Sequence, residues 1–186
     1  MVESTGSCES AYRRYLSGDE SAVGEIMDEL FFKLVFFIDG YVHDIHSAED
    51  IAMDAMSDLF VKEHRYNFKV SLKTYVFMLG KSRALDHLRH RRAIELTDIS
   101  EAESVGDDRA ELERKVLADE RRREVNAALE RLPEQLRTAV HLIYFEEMSY
   151  DEAARVMKKN RKQIDNLLYR AKKELRAILG EGGEAL

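Results

Sequence analysis

Apolar residues recur along most of the chain at three- and four-residue intervals, the spacing of one buried face on a 3.6-residue helix. The clearest run follows Asn160: Ile164, Leu167, Leu168, Ala171, Leu175 and Ile178. A shorter run, Ala153, Ala154, Val156 and Met157, precedes it. Each begins at a start signal. Ser149 with Glu152, and Asn160 with Gln163, fit capping boxes, in which the cap side chain accepts from an early N–H and the third residue reaches back to the cap's own N–H. Asn suits a helix start and tolerates backbone angles that most residues avoid. The spacing therefore predicts two helices joined by a tight turn over 149–175.

Earlier in the chain the same period predicts a short helix over 11–18 ending near Gly18, then a long one with Val23, Ile26, Met27, Leu30, Phe31, Leu34, Ile38 and Tyr41 on one face. Phe32, Val35, Phe36 and Phe37 widen that face, which predicts cover on more than one side. A third helix is expected to be capped by Ser47, with Ala48, Ile51, Ala52, Ala55, Met56 and Leu59 buried. Residues 63–71 break the period. Ser71 then caps a helix with Leu72, Tyr75, Val76, Leu79 and Leu88 inward. Residues 94–113 have no sustained apolar period, and their Ser, Gly106 and many acids mark a linker. Periodicity resumes at Val116 and Leu117 and runs through Val125, Ala128, Leu129 and Leu132. Pro133 suits the first turn of a further helix lined by Leu136, Ala139, Val140 and Ile143. Gly180 stops the last helix. The fold class is all-α: two small helical domains, 1–93 and 114–186, joined by an acidic flexible linker at 94–113, with a helix-turn-helix in the second.

Composition supports this reading. One Pro and no Trp in 186 residues fit a helical chain. Cys8 stands alone in a stretch expected to be mobile, so neither a disulfide framework nor a cysteine metal site is expected. The first ten residues lack the basic and apolar regions of a signal peptide, and no apolar run approaches a membrane span, so no membrane insertion and a cytoplasmic location are expected.

The net charge of −7 argues against nucleic acid until its distribution is read. Residues 1–60 carry 3 basic and 13 acidic side chains, and residues 61–92 carry 9 and 2. Residues 93–113 carry 1 and 8, and residues 114–186 carry 16 and 13. A phosphate backbone meets the local field, because salt screens charge over about 10 Å.

Four groups of residues carry candidate chemistry. On the last helix Arg161, Lys162, Gln163, Asp165, Asn166, Tyr169 and Arg170 lie off the apolar face. The donors among them suit phosphates and base edges, as on the second helix of a helix-turn-helix; an ordinary solvated helical hairpin has the same pattern. Asp50, Asp54 and Asp58 recur every four residues opposite the buried side of their helix, which fits either a basic partner or an acidic solvent face. Arg65, Tyr66, Asn67, Phe68 and Lys69 interleave charge with rings, the composition of a loop that stacks unpaired bases, or of one that tucks Tyr66 or Phe68 into the core. Lys73, Lys81, Arg83, Arg89, Arg91 and Arg92 are expected to ring the outside of the helix after Ser71, a basic end suited to nucleic acid, an anionic membrane surface or an acidic partner.

The arrangement resembles the extracytoplasmic-function sigma factors, small two-domain members of the bacterial sigma-70 family. Three stretches carry the resemblance: SAEDIAMDAMSDLF (47–60), TYVFMLGKSRALDHLRHRR (74–92) and LERLPEQLRTAVHLIYFEEMSYDEAARVM (129–157). Met53, Asp54, Tyr75 and Ser82 depart from the family's usual Gln, Glu, Trp and Asn, and Asp165 and Asn166 from its frequent Lys and Ser.

The resemblance implies a protein without an active site or cofactor that binds core RNA polymerase and directs it to promoter DNA. It implies that Asp50, Asp54 and Asp58 face the polymerase and that the 65–69 loop and the basic helix, with Lys81, Arg83, Arg89, Arg91 and Arg92, engage the −10 element. It assigns the −35 element to the last helix, and further implies an anti-sigma factor and a free protein that is a monomer.

Two other readings fit parts of the chain. A stand-alone dimeric helix-turn-helix regulator explains the second half but not the basic helix with its aromatic loop. A metal protein would use His43, His46, Asp50 and Asp54, or His87 with His90, yet lacks the Glu-x-x-His pattern of helical-bundle sites.

Overall fold

The computed structural model describes residues 4–97 and 120–180, and every regular element among them is a helix. The chain divides into two compact units, Met1–Ala102 and Glu103–Leu186.

The first unit contains α1 (Ser4–Leu16), α2 (Ser21–Val42), α3 (Ile45–Val61), a 3-10 turn at Glu63–Arg65 and α4 (Leu72–Thr97). Its core is built where α2, α3 and α4 pack on one another. Ile26, Leu30, Leu34 and Ile38 of α2 are fully buried, against Ala48, Ala52, Ala55, Met56 and Leu59 of α3 and Leu72, Val76, Phe77 and Ala84 of α4. Small residues let the helices close up, above all at Gly80. A Cβ there would lie 2.7 Å from Leu34 Cδ1 and 3.1 Å from Ile38 Cδ1.

The ends of the helices depart from the sequence expectations in instructive ways. α1 begins earlier than expected and buries Cys8, whose thiol burial pushes up to about 11. Gly18, at φ 97°, supplies the left-handed turn into α2. Asp44, not Ser47, caps α3: its carboxylate accepts from the Ser47 N–H at 3.3 Å and from the Ser47 hydroxyl. An ionised acceptor at a helix N-terminus also meets the positive end of the helix dipole, which favours Asp44 over a hydroxyl. Ser71 does cap α4, its Oγ accepting from Thr74 N at 3.2 Å. The first N–H of that helix has a distant partner: Leu72 N donates to Glu9 Oε1 on α1 at 2.6 Å. The aromatic run on α2 is only partly core. Val35 and Phe37 are buried, whereas Phe32 is 58 % and Phe36 45 % exposed, because no helix among the described residues covers that side. α4 continues to Thr97, and the remainder of the stretch read as a linker, 98–113, lies outside the described residues, as do Val116 and Leu117.

The second unit contains α5 (Glu120–Glu130), α6 (Glu134–Val140), a π turn at His141–Phe145, α7 (Tyr150–Met157) and α8 (Arg161–Leu179). Pro133 stands just before α6 rather than within its first turn. The π turn, where Glu146 N donates to the His141 carbonyl at 3.0 Å, ends the α6 register. A five-residue turn rotates the next residues by about 100° relative to an α-helix. Within the turn itself Leu142 is buried while Ile143, expected to line the helix, is half-exposed. α8 is the hub of this unit, touching α5, α6 and α7. Leu132, Leu136, Ala139, Leu142, Ile164, Leu168, Ala171 and Leu175 form its core.

Candidate functional site

Both predicted capping boxes of the second unit are present. Ser149 Oγ accepts from Glu152 N while Glu152 Oε2 accepts from Ser149 N at 2.9 Å. Asn160 Oδ1 accepts from Gln163 N, and Gln163 Oε1 from Asn160 N, each at 2.9 Å. The left-handed residue of the turn is Lys158, at φ 53°, not Asn160. A helix that closes on its own last carbonyls puts the left-handed residue immediately after its end; here Lys159 N donates to the Ala154 carbonyl at 2.8 Å. Asn160 must stay extended to cap α8.

This turn presents α8 with Ile164, Leu167, Leu168, Ala171 and Leu175 inward. Arg161, Lys162, Gln163, Asp165, Asn166, Tyr169 and Arg170 are all exposed, Tyr169 by 73 %. They are not equally available. The Gln163 carbonyl is committed to the cap. Arg161 lies 3.6 Å from Asp151 and 5.7 Å from the centre of the Tyr150 ring, both weak tethers at an exposed site. Lys162, Asn166 and Arg170 make up the unencumbered donor row, with Tyr169 beside it.

In the first unit the acidic row of α3 is not uniform. Arg83 on α4 reaches Asp58 with one guanidinium nitrogen and lies 3.3 Å from Asp54 with the other. Lys62 pairs with Asp58 from one turn further along α3. The Lys62 hydrogen bond first, then Arg83, holds the Asp58 carboxyl below its ordinary range. Arg83, expected to ring the outside, thus turns inward, because the partly buried Asp58 needs a counter-charge. Asp50 is exposed and forms no ion pair among the described residues. Met53, also exposed, lies about one helical turn further along α3.

The 63–71 loop folds around an anchor. Tyr66 is 5 % exposed, with its ring 5.4 Å from Tyr12, 4.6 Å from Phe68 and 5.1 Å from Tyr75. Its hydroxyl donates to the Val70 carbonyl at 2.9 Å, and burial pushes its pKa up. Of the two readings of this loop, the tucked ring holds for Tyr66: the aromatic neighbours contributed by α1 and α4 bury it. Asn67 Oδ1 accepts from Lys69 N at 3.1 Å, closing a local turn that leaves Phe68 left-handed at φ 60°. Arg65, Asn67 and Lys69 are exposed and Phe68 is half-buried.

The sequence predicts the helix α1 but assigns none of its residues a role in holding the unit together. Tyr12 donates to the Leu59 carbonyl at 3.0 Å and Tyr15 to the Phe60 carbonyl at 3.1 Å, satisfying acceptors that the end of α3 leaves over. Burial pushes the Tyr12 hydroxyl up to about 12. The tyrosine pair flanking two arginines, residues 12–15, was the available signal.

On the basic helix, Arg89, Arg91 and Arg92 are exposed, Lys81 is half-buried and Arg89 pairs with Asp86 at 2.9 Å. Among the described residues no helix is long and apolar enough to cross a membrane, and no group of three His, Cys, Asp or Glu side chains is placed to hold a metal ion.

Comparison with known proteins agrees with this division. Residues 33–94 match the family model of Sigma-70 region 2, and residues 122–175 that of Sigma-70, region 4. The chain is 29 % identical over 174 residues to the RNA polymerase sigma-H factor of Pseudomonas aeruginosa, covering 87 % of this chain and 88 % of the relative. It is 23 % identical over 151 residues to the ECF RNA polymerase sigma factor SigM of Bacillus subtilis, covering 78 % and 88 %. Among solved structures it resembles the sigma factor RpoE in its complex with the anti-sigma factor NepR from Bartonella quintana, with a TM-score of 0.66 at 20 % identity over 84 % of this chain and 95 % of that one. It also resembles CnrH in complex with the cytosolic domain of CnrY, with a TM-score of 0.63 at 20 % identity over 94 % and 96 %. A stand-alone regulator would have no use for a region 2 unit. With region 2 in the first unit, region 4 on the helix-turn-helix, and similarity along most of its length, the chain belongs to the sigma-70 family and is an RNA polymerase sigma factor of the extracytoplasmic-function type.

Proposed function

We propose that the two units divide promoter recognition, with duplex read by α8 and single strand by the first unit. The observation that carries this is the donor row Lys162, Asn166 and Arg170, held out by a doubly capped turn on a helix whose other face is core. Lys162 and Asn166, near the start of α8, meet base edges of the −35 element; Arg170, Arg161 and Tyr169 meet its backbone. In the first unit the 65–69 loop and the basic side chains of α4, Lys81, Arg89, Arg91 and Arg92, meet the −10 element. Tyr66 is the scaffold of that loop, and Arg83 serves the helix interface.

Core RNA polymerase docks on α3, with Asp50 and Asp54 as its acidic contacts and Asp58 behind them. The exposed Phe32, Phe36 and Met53 suit a protein partner rather than DNA. Both solved relatives are held by a second protein, and we extend that to an anti-sigma factor acting on this chain. The chain works in the cytoplasm, is a monomer when free and contributes no catalysis of its own; the polymerase makes the RNA.

Run-off transcription with core polymerase and a promoter library tests the division. Lys162→Ala and Asn166→Ala are expected to change which −35 sequences are used, by about 1–3 kcal/mol of discrimination for a good base contact, while sparing a premelted template. Equal loss on premelted and duplex templates would overturn it.

A further inference from the structure

We propose that Arg13, on α1, is a single-strand DNA-binding residue that neutralises the phosphate next to the base held at Phe68. The inference rests on the reading of the 65–69 loop as the −10 site. It extends that site to a helix outside the segment matched as region 2, which begins at residue 33.

The guanidinium of Arg13 lies 4.3 Å from the centre of the Phe68 ring. Among the described aromatic and cationic neighbours of that ring, Tyr12 and Tyr66 are buried and Arg13 is exposed. Arg13 forms no ion pair among the described residues, whereas its neighbour Arg14 is taken up by Asp19 and Glu25. A cation left without a carboxylate, beside two acids that its neighbour uses, is one kept for an outside anion. Arg65 and Lys69 belong to the same loop as Phe68, and both are exposed, so the loop adds basic residues of its own to the one at the ring. Phe68 itself is held left-handed, a conformation that a bulky side chain adopts only when its surroundings impose it, and such strain gathers at ligand sites.

Stacking of a base on a ring is stronger than an exposed cation–π contact. An arriving unpaired base therefore displaces the guanidinium from Phe68. The arginine stem is long enough to swing its charge onto the adjoining phosphate, which keeps the cation in the complex. In the free protein the same guanidinium covers a hydrophobic ring that would otherwise face water.

The test uses the full chain bound to core polymerase and fluorescein-labelled single strands of about ten nucleotides and varied sequence, a length within the range of single-strand sites. Binding is titrated at several salt concentrations for wild type, Arg13→Ala, Arg13→Lys and the double variant Arg65→Ala, Lys69→Ala. Arg13→Ala is expected to weaken binding roughly 3- to 10-fold on every sequence alike and to reduce the salt slope by about 0.7, the value for one phosphate contact on a single strand. Arg13→Lys restores the slope, which a role in packing alone would not require. Unchanged affinity and slope in Arg13→Ala, or tighter binding, overturns the inference. If the loop variant weakens binding and Arg13→Ala does not, only the Arg13 assignment falls. If the loop variant binds like wild type, the loop reading falls whatever Arg13 does.

Discussion

Arg83 ties α4 to α3 through Asp58, and Asp58 is the one member of its acidic row that is mostly covered. The pair therefore belongs to the fold before it belongs to any partner. Arg83→Ala is expected to cost about 1–2 kcal/mol in chemical denaturation, between the values for exposed pairs and for charged hydrogen bonds. Asp50→Lys is expected to leave the melting temperature within a degree or two of wild type and to weaken capture of core polymerase in a pull-down. If Asp50→Lys bound core as wild type does, the α3 face would lose its assignment.

Asp44 and Asp58 both sit below the ordinary carboxylate range, Asp44 chiefly through the Ser47 hydroxyl and Asp58 chiefly through Lys62. Depressed folded-state values mean that ionisation favours the folded form. This contribution is complete above the unfolded-chain value near pH 4 and drains away as pH falls through the lower folded values. Stability measured from pH 7 downward should show no loss from these groups until about pH 4, then a fall. Asp44→Asn keeps a capping acceptor but cannot titrate, so it should flatten that fall while costing little at pH 7. An unaltered acid limb would mean that Asp44 contributes nothing to it.

At Gly80, α4 lies close against the side chains of α2. Gly80→Val places methyl groups into Leu34 and Ile38, both fully buried. Overpacking should outweigh the gain in helix propensity and destabilise the first unit by roughly 1–3 kcal/mol. The second unit's transition should stay where it is. Thermal unfolding followed separately in the two units, for example through a reporter placed in each, distinguishes this from general damage.

Lys158 offers the opposite sign. A lysine at φ 53° is strained where glycine would not be. Lys158→Gly is expected to stabilise the helix-turn-helix by up to about 1 kcal/mol in thermal unfolding. Ser149→Ala, which removes the α7 cap, should cost about 1 kcal/mol. If Lys158→Gly destabilised the unit, the left-handed turn would not be the source of strain.

Local rules carried the reading of the second unit almost to its atoms. A capping box involves residues three apart, so Ser149–Glu152 and Asn160–Gln163 could be read without knowing what packs around them. The same rules placed the cap of α3 at Ser47, because the competing acceptor, Asp44, is chosen by where His43 turns left-handed to end α2. They could not decide between the two fates of Tyr66, since its burial depends on Tyr12, 54 positions earlier, and Tyr75. Nor could they show that Arg83 faces inward: its partner lies on another helix, and an outward arginine has the same periodic position. Exposure of Phe32 and Phe36 was hidden for the converse reason, as aromatic residues on a helix read as core until the number of neighbouring helices is known.

The long-distance bonds of α1 bear on how the chain is made. Leu59 and Leu72 supply polar partners of α1, so although α1 also packs on α2, which directly follows it, these bonds wait until the residues of α3 and the start of α4 have left the ribosome. At biosynthetic rates of roughly 5–20 residues per second that wait lasts seconds, far longer than a helix takes to form or melt. The attachment of α1 is therefore completed only once α3 and the start of α4 exist. A tag or fusion placed before α1 acts during this interval, when Tyr12 and Glu9 have yet to find the ends of the helices they complete.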